Sequence, residues 1–149
     1  MLGTHVDQKF NDDIFSVFWW KSLQWMKLYK QDRGTMVTIY HNPRCSKSRQ
    51  ALSILQSKNI ELDIVLYLDT PIDQSLLESL LFKLGLSAGQ IIRRNENDFK
   101  RLQLDAKNIN DQQLLTAMVK YPKLIERPIV VNGQKAVVGR PPEKILEIL

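Results

Sequence analysis

The sequence predicts an α/β fold, because short apolar strands occur at both ends of one region and helical patterns lie between them. MVTIY, from Met36, and ELDIVLYL, from Glu61, flank a helical stretch over residues 46–57. A strand, a helix and a second strand joined by short links favour a parallel βαβ unit. Near the end of the chain, two Val-rich runs surround Asn132-Gly133, a dipeptide typical of hairpin turns.

Helices are expected between the βαβ unit and the hairpin. TPIDQSLLESLLFKLG predicts a helix capped by Thr70, with Pro71 at its first position and Gly85 at its C-terminal end. Shorter helices are predicted near residues 87–93, 96–102 and 111–120, and PPEKILEIL predicts a final helix. The βαβ opening, the helical middle and the ββα ending together describe a thioredoxin-like fold with a helical insertion between its halves, over residues 36–149.

Residues 1–35 differ from the rest of the chain, because they hold all three tryptophans. DDIFSVFWWKSLQWMKLYK predicts one helix, with Asp12 or Asp13 as its N-cap. Two interpretations stay open: an appended helix that docks on the domain or pairs with another chain, and a stretch that is not native, with Met36 as the natural start. The longest apolar run, residues 14–20, is shorter than the about 18 residues that a membrane span needs.

The composition is that of one globular domain, with 149 residues, 44% of them hydrophobic and 25% charged. The net charge is +5, but Lys and Arg are scattered along the chain, which favours a small anion as ligand over nucleic acid or a membrane surface. Cys45 is the only cysteine, so an intramolecular disulfide and a cysteine-rich zinc site are excluded. A reducing compartment, the cytoplasm, is therefore expected.

Cys45 follows a strand and a polar turn, and a helix is predicted to begin directly behind it, in TIYHNPRCSKSRQALSILQ. The thiolate is the reactive form of cysteine, and its pKa falls at a helix N-terminus and beside cations. Arg44, Lys47 and Arg49 supply such cations, and the same features make a cradle for an anion. The alternative is a small hydrophobic residue buried at a strand end. The polar and basic flanks favour a nucleophile instead.

Other residues of the turn are candidates for supporting roles. His41 either orients or polarises Cys45 or forms a hydrogen bond within the turn, and the structural role is favoured. Asn42 can hold the turn through side-chain bonds to the backbone. In CSKS, Ser48 stands where a redox protein of this fold carries its second cysteine, so an outside thiol must resolve any adduct on Cys45. Ala51 occupies the place of the arginine in a phosphatase C-x5-R loop, which excludes that kind of site.

Three arginines, Arg93, Arg127 and Arg140, lie at the ends of predicted elements. Arginine suits tetrahedral oxyanions because its planar fork donates paired hydrogen bonds. In a thioredoxin-like fold the peptide bond before the hairpin proline faces the cysteine and is usually cis, which would bring Arg127 to the site. Each arginine taken alone is more simply a surface charge, and Arg94 fits the spacing as well as Arg93. The three together favour an oxyanion site.

Five separated segments carry a more specific signal: IYHNPRCSKSR, LYLDTP, IIRRNE, PKLIERPIVV and VGRPPE. Together they resemble the glutaredoxin-coupled arsenate reductase family, and the resemblance covers residues 36–149. It implies that Cys45 attacks arsenate, that glutathione then joins the arsenic adduct, and that glutaredoxin removes glutathione so that arsenite is released. It implies no metal and no bound organic cofactor. It also implies oxyanion binding by three residues, Arg93, Arg127 and Arg140.

Two other classes of function remain as alternatives. One is a regulator that contacts RNA polymerase and often senses oxidation through C-x-x-C, but CSKS lacks that pair of thiols. The other is a thiol transferase that acts on glutathione mixed disulfides. The three arginines favour arsenate over a site for glutathione alone.

Overall fold

The structure is a computed structural model, and it describes residues 36–149. The helix predicted within residues 1–35 lies outside the described residues, so both interpretations of that stretch stay predictions. The domain boundary at Met36 stays a prediction as well.

Four short strands form one mixed sheet, in the order β2-β1-β3-β4. The strands are β1 (Val37–Tyr40), β2 (Leu62–Val65), β3 (Ile129–Asn132) and β4 (Lys135–Val138). β1 pairs in parallel with β2 and antiparallel with β3, and β3 pairs antiparallel with β4. The predicted βαβ unit, the hairpin and the thioredoxin-like arrangement of strands are therefore confirmed.

The helices lie where the hydrophobic pattern places them, with two differences described below. They are α1 (Ser46–Ser57), α2 (Gln74–Leu84), α3 (Ala88–Ile91), α4 (Asn97–Arg101) and α5 (Asp111–Lys120), with two 3-10 helices, Pro122–Leu124 and Pro142–Ile148. α2 to α5 form the predicted helical insertion between the two halves of the sheet. Gly85 ends α2 with φ of 64°, a left-handed conformation that glycine adopts without steric cost.

Apolar side chains alternate between the two faces of the sheet, so each face carries its own core. On one face, Val37 and Ile39 pack with residues of α1 and with Ile145 of the last 3-10 helix. On the other face, Tyr40 and Ile129 pack with the helical insertion. Because helices cover both faces of the sheet, a functional site is expected at the edge where the strands end.

The predicted start of α2 was wrong. Asp73, rather than Thr70, is the N-cap, and its carboxylate accepts a hydrogen bond of 2.7 Å from the Leu76 N–H. The N–H of Thr70 instead bonds to Leu66 O in a turn, and Ile72 is buried behind that turn. Ile72 is therefore buried before the helix begins, and Pro71 lies outside the helix.

The last segment forms a 3-10 helix, whereas a regular final helix was predicted. Proline at its start removes a backbone donor, and the N–H of Lys144 bonds to Pro141 O three residues earlier. Asn132 Nδ2 donates to Ile148 O at 2.6 Å, which ties the end of this segment to the sheet. Burial of Ile145 holds the middle of the segment against the sheet as well.

Candidate active site

The sheet topology brings four chain segments to one edge. The carboxyl ends of β1 and β2 meet there because the two strands are parallel, and antiparallel β3 begins and β4 ends at the same edge. Cys45 follows β1, Arg127 precedes β3 and Arg140 follows β4. Tyr67 lies just beyond β2. Strand order alone thus brings residues that are far apart in the sequence to one edge of the sheet.

Cys45 is the N-cap of α1 and is partly buried. Its N–H donates to Asn42 O at 3.0 Å, and its carbonyl accepts from the N–H of Arg49 at 3.0 Å. The Arg44 N–H donates to Asn42 Oδ1 at 2.9 Å, so Asn42 holds the turn through its side chain, as its type suggested. Arg49 Nη1 donates to Pro43 O at 2.8 Å and braces the same turn.

Ser48 connects the turn to the first turn of α1. The residue is fully buried, and its Oγ accepts a hydrogen bond of 3.0 Å from the N–H of Asn42. His41 Nδ1 lies 2.8 Å from the same oxygen. Burial and the charge of Arg49 lower the pKa of His41, partly opposed by Ser48, so the imidazole is neutral near pH 7. This geometry suits the structural role favoured for His41.

The thiol of Cys45 is activated by its surroundings. Burial raises its pKa, but the N–H groups of Ser48 and Lys47, the side chain of Arg127 and the charge of Arg140 outweigh burial, and the pKa is lowered overall. Both N–H groups belong to the first turn of α1, where backbone N–H groups have no carbonyl partner within the helix. The structure therefore has the two features, a helix N-terminus and nearby cations, that stabilise a thiolate.

Two of the three predicted arginines interact with the thiol. Arg140 Nη2 lies 3.8 Å from Cys45 Sγ, and Arg140 Nε donates to Arg127 O at 2.9 Å. Arg127 interacts with the thiol through its side chain, and its Nη1 donates to Lys123 O at 2.9 Å. The Arg127–Pro128 bond is cis, as predicted. The bond after Arg140 is cis as well, which was not foreseen.

Arg93 joins the cluster through a carboxylate. Its guanidinium pairs with Glu96, and Arg127 Nη2 lies 3.5 Å from the same Glu96 oxygen. The Arg93 N–H donates to Leu124 O at 2.7 Å, which fixes this segment beside the one that leads to Pro128. Arg94 instead stands 5.7 Å from the ring of Phe99 and is exposed, so Arg93 is the arginine that enters the cluster.

Three further residues of this cluster were not predicted from the sequence. Glu96 pairs with two of the arginines, and Glu126 Oε2 lies 2.8 Å from Arg140 Nε. A signal existed for both, since Glu96 follows Arg93 by three residues and Glu126 directly precedes Arg127. Tyr67 is buried beside Arg127, and nothing in LYL distinguishes it from an ordinary core residue.

The site combines a nucleophile with a cluster of guanidinium groups. Within residues 36–149, no group of three or more His, Cys, Asp or Glu side chains could hold a metal ion. None of the helices in this range is long and apolar enough to cross a membrane. The described site places one thiol of lowered pKa beside guanidinium groups, which are donors suited to an anion.

Comparison with known proteins identifies the family of this chain. The ArsC family model matches residues 40–148, which include the cysteine turn and all three arginines. The chain belongs to the ArsC family. The uncharacterized protein YfgD of Escherichia coli strain K12 is 50% identical over 114 residues, which are 76% of this chain and 96% of that protein.

ArsC relatives with a named activity are nearly as similar. An arsenate reductase of Neisseria meningitidis serogroup A is 47% identical over 114 residues, which are 76% of this chain and 97% of that protein. The solved structure of an arsenate reductase from Vibrio cholerae is 44% identical and superposes with a TM-score of 0.75, covering 78% of this chain and 99% of that one. The shared fold therefore spans nearly the whole length of these relatives.

Proposed function

We propose that this ArsC protein reduces arsenate to arsenite, with Cys45 as the nucleophile and with glutathione and glutaredoxin as external reductants. The observation that carries the proposal is a thiol of lowered pKa with Arg140 Nη2 at 3.8 Å from its sulfur. Arsenate reductases among the relatives support the choice of arsenate. Oxyanion binding by Arg93, Arg127 and Arg140 is part of the same proposal.

In the first step, the Cys45 thiolate attacks the arsenic atom of arsenate. A sulfur–arsenic bond forms, and one arsenate hydroxyl takes up a proton and leaves as water. Arg140 and Arg127 neutralise the charge that remains on the other oxygens, since guanidinium forks donate to two oxygens at once. A helix N-terminus behind the sulfur favours the thiolate before attack.

The second stage needs thiols from outside the chain, because Cys45 is its only cysteine. The glutathione thiol adds to arsenic, and a second oxygen leaves as water. A glutaredoxin thiolate then attacks the glutathione sulfur, and the electron pair of the broken sulfur–arsenic bond stays on arsenic, which becomes arsenic(III). Water finally releases arsenite from Cys45. The two electrons come from glutathione and glutaredoxin, which leave as a mixed disulfide.

We place this reaction in the cytoplasm, where thiols are kept reduced. No resident metal or organic cofactor takes part in the proposed steps. Because these steps use external thiols, glutathione and glutaredoxin are the proposed partners, and arsenate is the proposed substrate.

A coupled assay with arsenate, glutathione, glutaredoxin and a glutathione-regenerating system tests the proposal. The protein is expected to turn over arsenate, and Cys45→Ser is expected to abolish turnover, because a serine hydroxyl stays protonated at neutral pH. A parallel assay with a glutathione mixed disulfide tests the thiol-transferase alternative. Turnover of the mixed disulfide without turnover of arsenate would reject arsenate reduction in favour of that alternative.

A further inference from the structure

Two buried side-chain atoms within residues 36–149 lack a hydrogen-bond partner, and both lie in the arginine cluster. They are the hydroxyl oxygen of Tyr67 and Nε of Arg127. Tyr67 is 1% exposed, so its hydroxyl is out of contact with bulk solvent. Buried polar groups without a partner are uncommon, and each calls for an explanation.

The two atoms are chemically complementary. The Tyr67 hydroxyl oxygen can accept a hydrogen bond, and Arg127 Nε–H can only donate one. Burial raises the pKa of Tyr67, and the charge and the side-chain donors of the neighbouring Arg127 oppose that rise. The phenol is therefore neutral and interacts with the Arg127 side chain, although neither its oxygen nor Arg127 Nε makes a hydrogen bond of ordinary length and angle.

Other partners hold Arg127 in its present orientation. Its Nη1 donates to Lys123 O at 2.9 Å, and its Nη2 lies 3.5 Å from Glu96 Oε1. The second distance exceeds the 2.7–2.9 Å or so of a charge-assisted hydrogen bond. Arg127 and Glu96 thus form a loose ion pair, which a more highly charged anion can replace.

We propose that Tyr67 is a positioning residue for Arg127 in the anion-bound state. When a tetrahedral oxyanion replaces Glu96, Arg127 Nε–H donates to the Tyr67 hydroxyl and Nη2 turns to the anion beside Cys45. Both unpaired atoms are then satisfied at once. The inference rests on the proposed oxyanion site, and it adds a residue that neither the cysteine nor the arginine pattern indicates.

Tyr67→Phe tests the inference, because it removes the hydroxyl and keeps the buried ring. Anion binding is measured in the full chain as protection of Cys45 from iodoacetamide, with arsenate and with phosphate, which thiols do not reduce. Binding of both is expected to weaken about tenfold, the loss of one hydrogen bond made by a charged group. The unfolding temperature of the anion-free variant should match that of the parent, since the hydroxyl has no partner there.

Tyr40→Phe is the matched control. Tyr40 is a second buried tyrosine of the same core cluster, and burial, followed by the charge of Asp63 rather than that of an arginine, raises the pKa of its hydroxyl. Its removal should leave protection by both anions unchanged. An equal loss in Tyr40→Phe and Tyr67→Phe would overturn the specific role of Tyr67.

Arg127→Lys provides the decisive background, because lysine lacks the Nε–H that Tyr67 would accept. In that background Tyr67→Phe should have no further effect on anion binding, so the two losses should not add.

Four outcomes would contradict the proposal. If Tyr67→Phe weakened anion binding as much in Arg127→Lys as in the parent protein, the hydroxyl would act on the anion itself. Normal anion binding by the single variant Tyr67→Phe would also overturn the proposal. A lower unfolding temperature of anion-free Tyr67→Phe would instead assign the hydroxyl a structural role. Failure of both anions to protect the parent protein would reject the proposed oxyanion site, and the inference with it.

Discussion

At Cys45, burial and the neighbouring donors act on the thiol pKa with opposite signs. Burial raises the pKa, whereas two backbone N–H groups and the side chains of Arg127 and Arg140 lower it and prevail. A lower pKa means that thiolate is present at a lower pH. Alkylation of Cys45 by iodoacetamide should therefore accelerate at a lower pH than for a free cysteine, whose pKa is about 8.5.

Arg140→Gln should move the alkylation profile of Cys45 to higher pH. The substitution removes a cation 3.8 Å from the sulfur, which disfavours the thiolate and raises the thiol pKa. Arg101→Gln is a suitable control, because Arg101 pairs with Asp98 and its side chain is 56% exposed. Superimposable profiles for Arg140→Gln and the parent would show that Arg140 does not tune the thiol.

Glu96→Gln should strengthen the binding of arsenate and phosphate by about threefold, the size of one partly exposed ion pair. Glu96 pairs with Arg93 and with Arg127, so its carboxylate competes with an incoming anion for both. Isothermal titration with phosphate would measure the change. Asp98→Asn is the control, since Asp98 pairs with Arg101. Weaker binding by Glu96→Gln would mean that the carboxylate positions the arginines instead of competing with the anion.

At the scale of elements, periodicity and turn residues predicted the sheet well, but they did not settle the choice between neighbouring caps. Thr70 and Asp73 are both good N-cap residues, and the sequence pattern favoured the first because Pro71 follows it. Burial of Ile72 decided in favour of Asp73. That burial depends on packing against distant residues, which a local pattern does not contain.

The two caps can be separated by experiment. Asp73→Ala should lower the free energy of unfolding by about 1 kcal/mol, because it removes the hydrogen bond to the Leu76 N–H. Thr70→Ala should change it by much less, since Thr70 lies in the preceding turn. Urea denaturation of both variants gives the comparison. A larger loss in Thr70→Ala than in Asp73→Ala would restore the original interpretation of this helix start.

At the scale of the whole molecule, strand order explains why Cys45 could be singled out from its local pattern, whereas the arginines could be predicted only as a set. Cys45 stands out locally, because strand, turn and helix follow one another around it. Arg127 and Arg140 meet it only because β3 pairs antiparallel with β1 and β4 pairs antiparallel with β3, so that the start of β3 and the end of β4 lie at one edge. Tyr67 lies in LYLDTP, but nothing in that segment marks it as a site residue, and its proposed role rests on which buried atoms lack partners.

The proposed reaction depends on a covalent bond between Cys45 and arsenic. Incubation of the full chain with arsenate and glutathione, without glutaredoxin, should trap the adduct, because the step that removes glutathione is then missing. Intact-protein and peptide mass spectrometry should find a mass that contains both arsenic and glutathione on the peptide with Cys45. The adduct should be absent with phosphate in place of arsenate and absent in Cys45→Ser. Glutathione on Cys45 without arsenic, in a sample that received arsenate, would contradict the account.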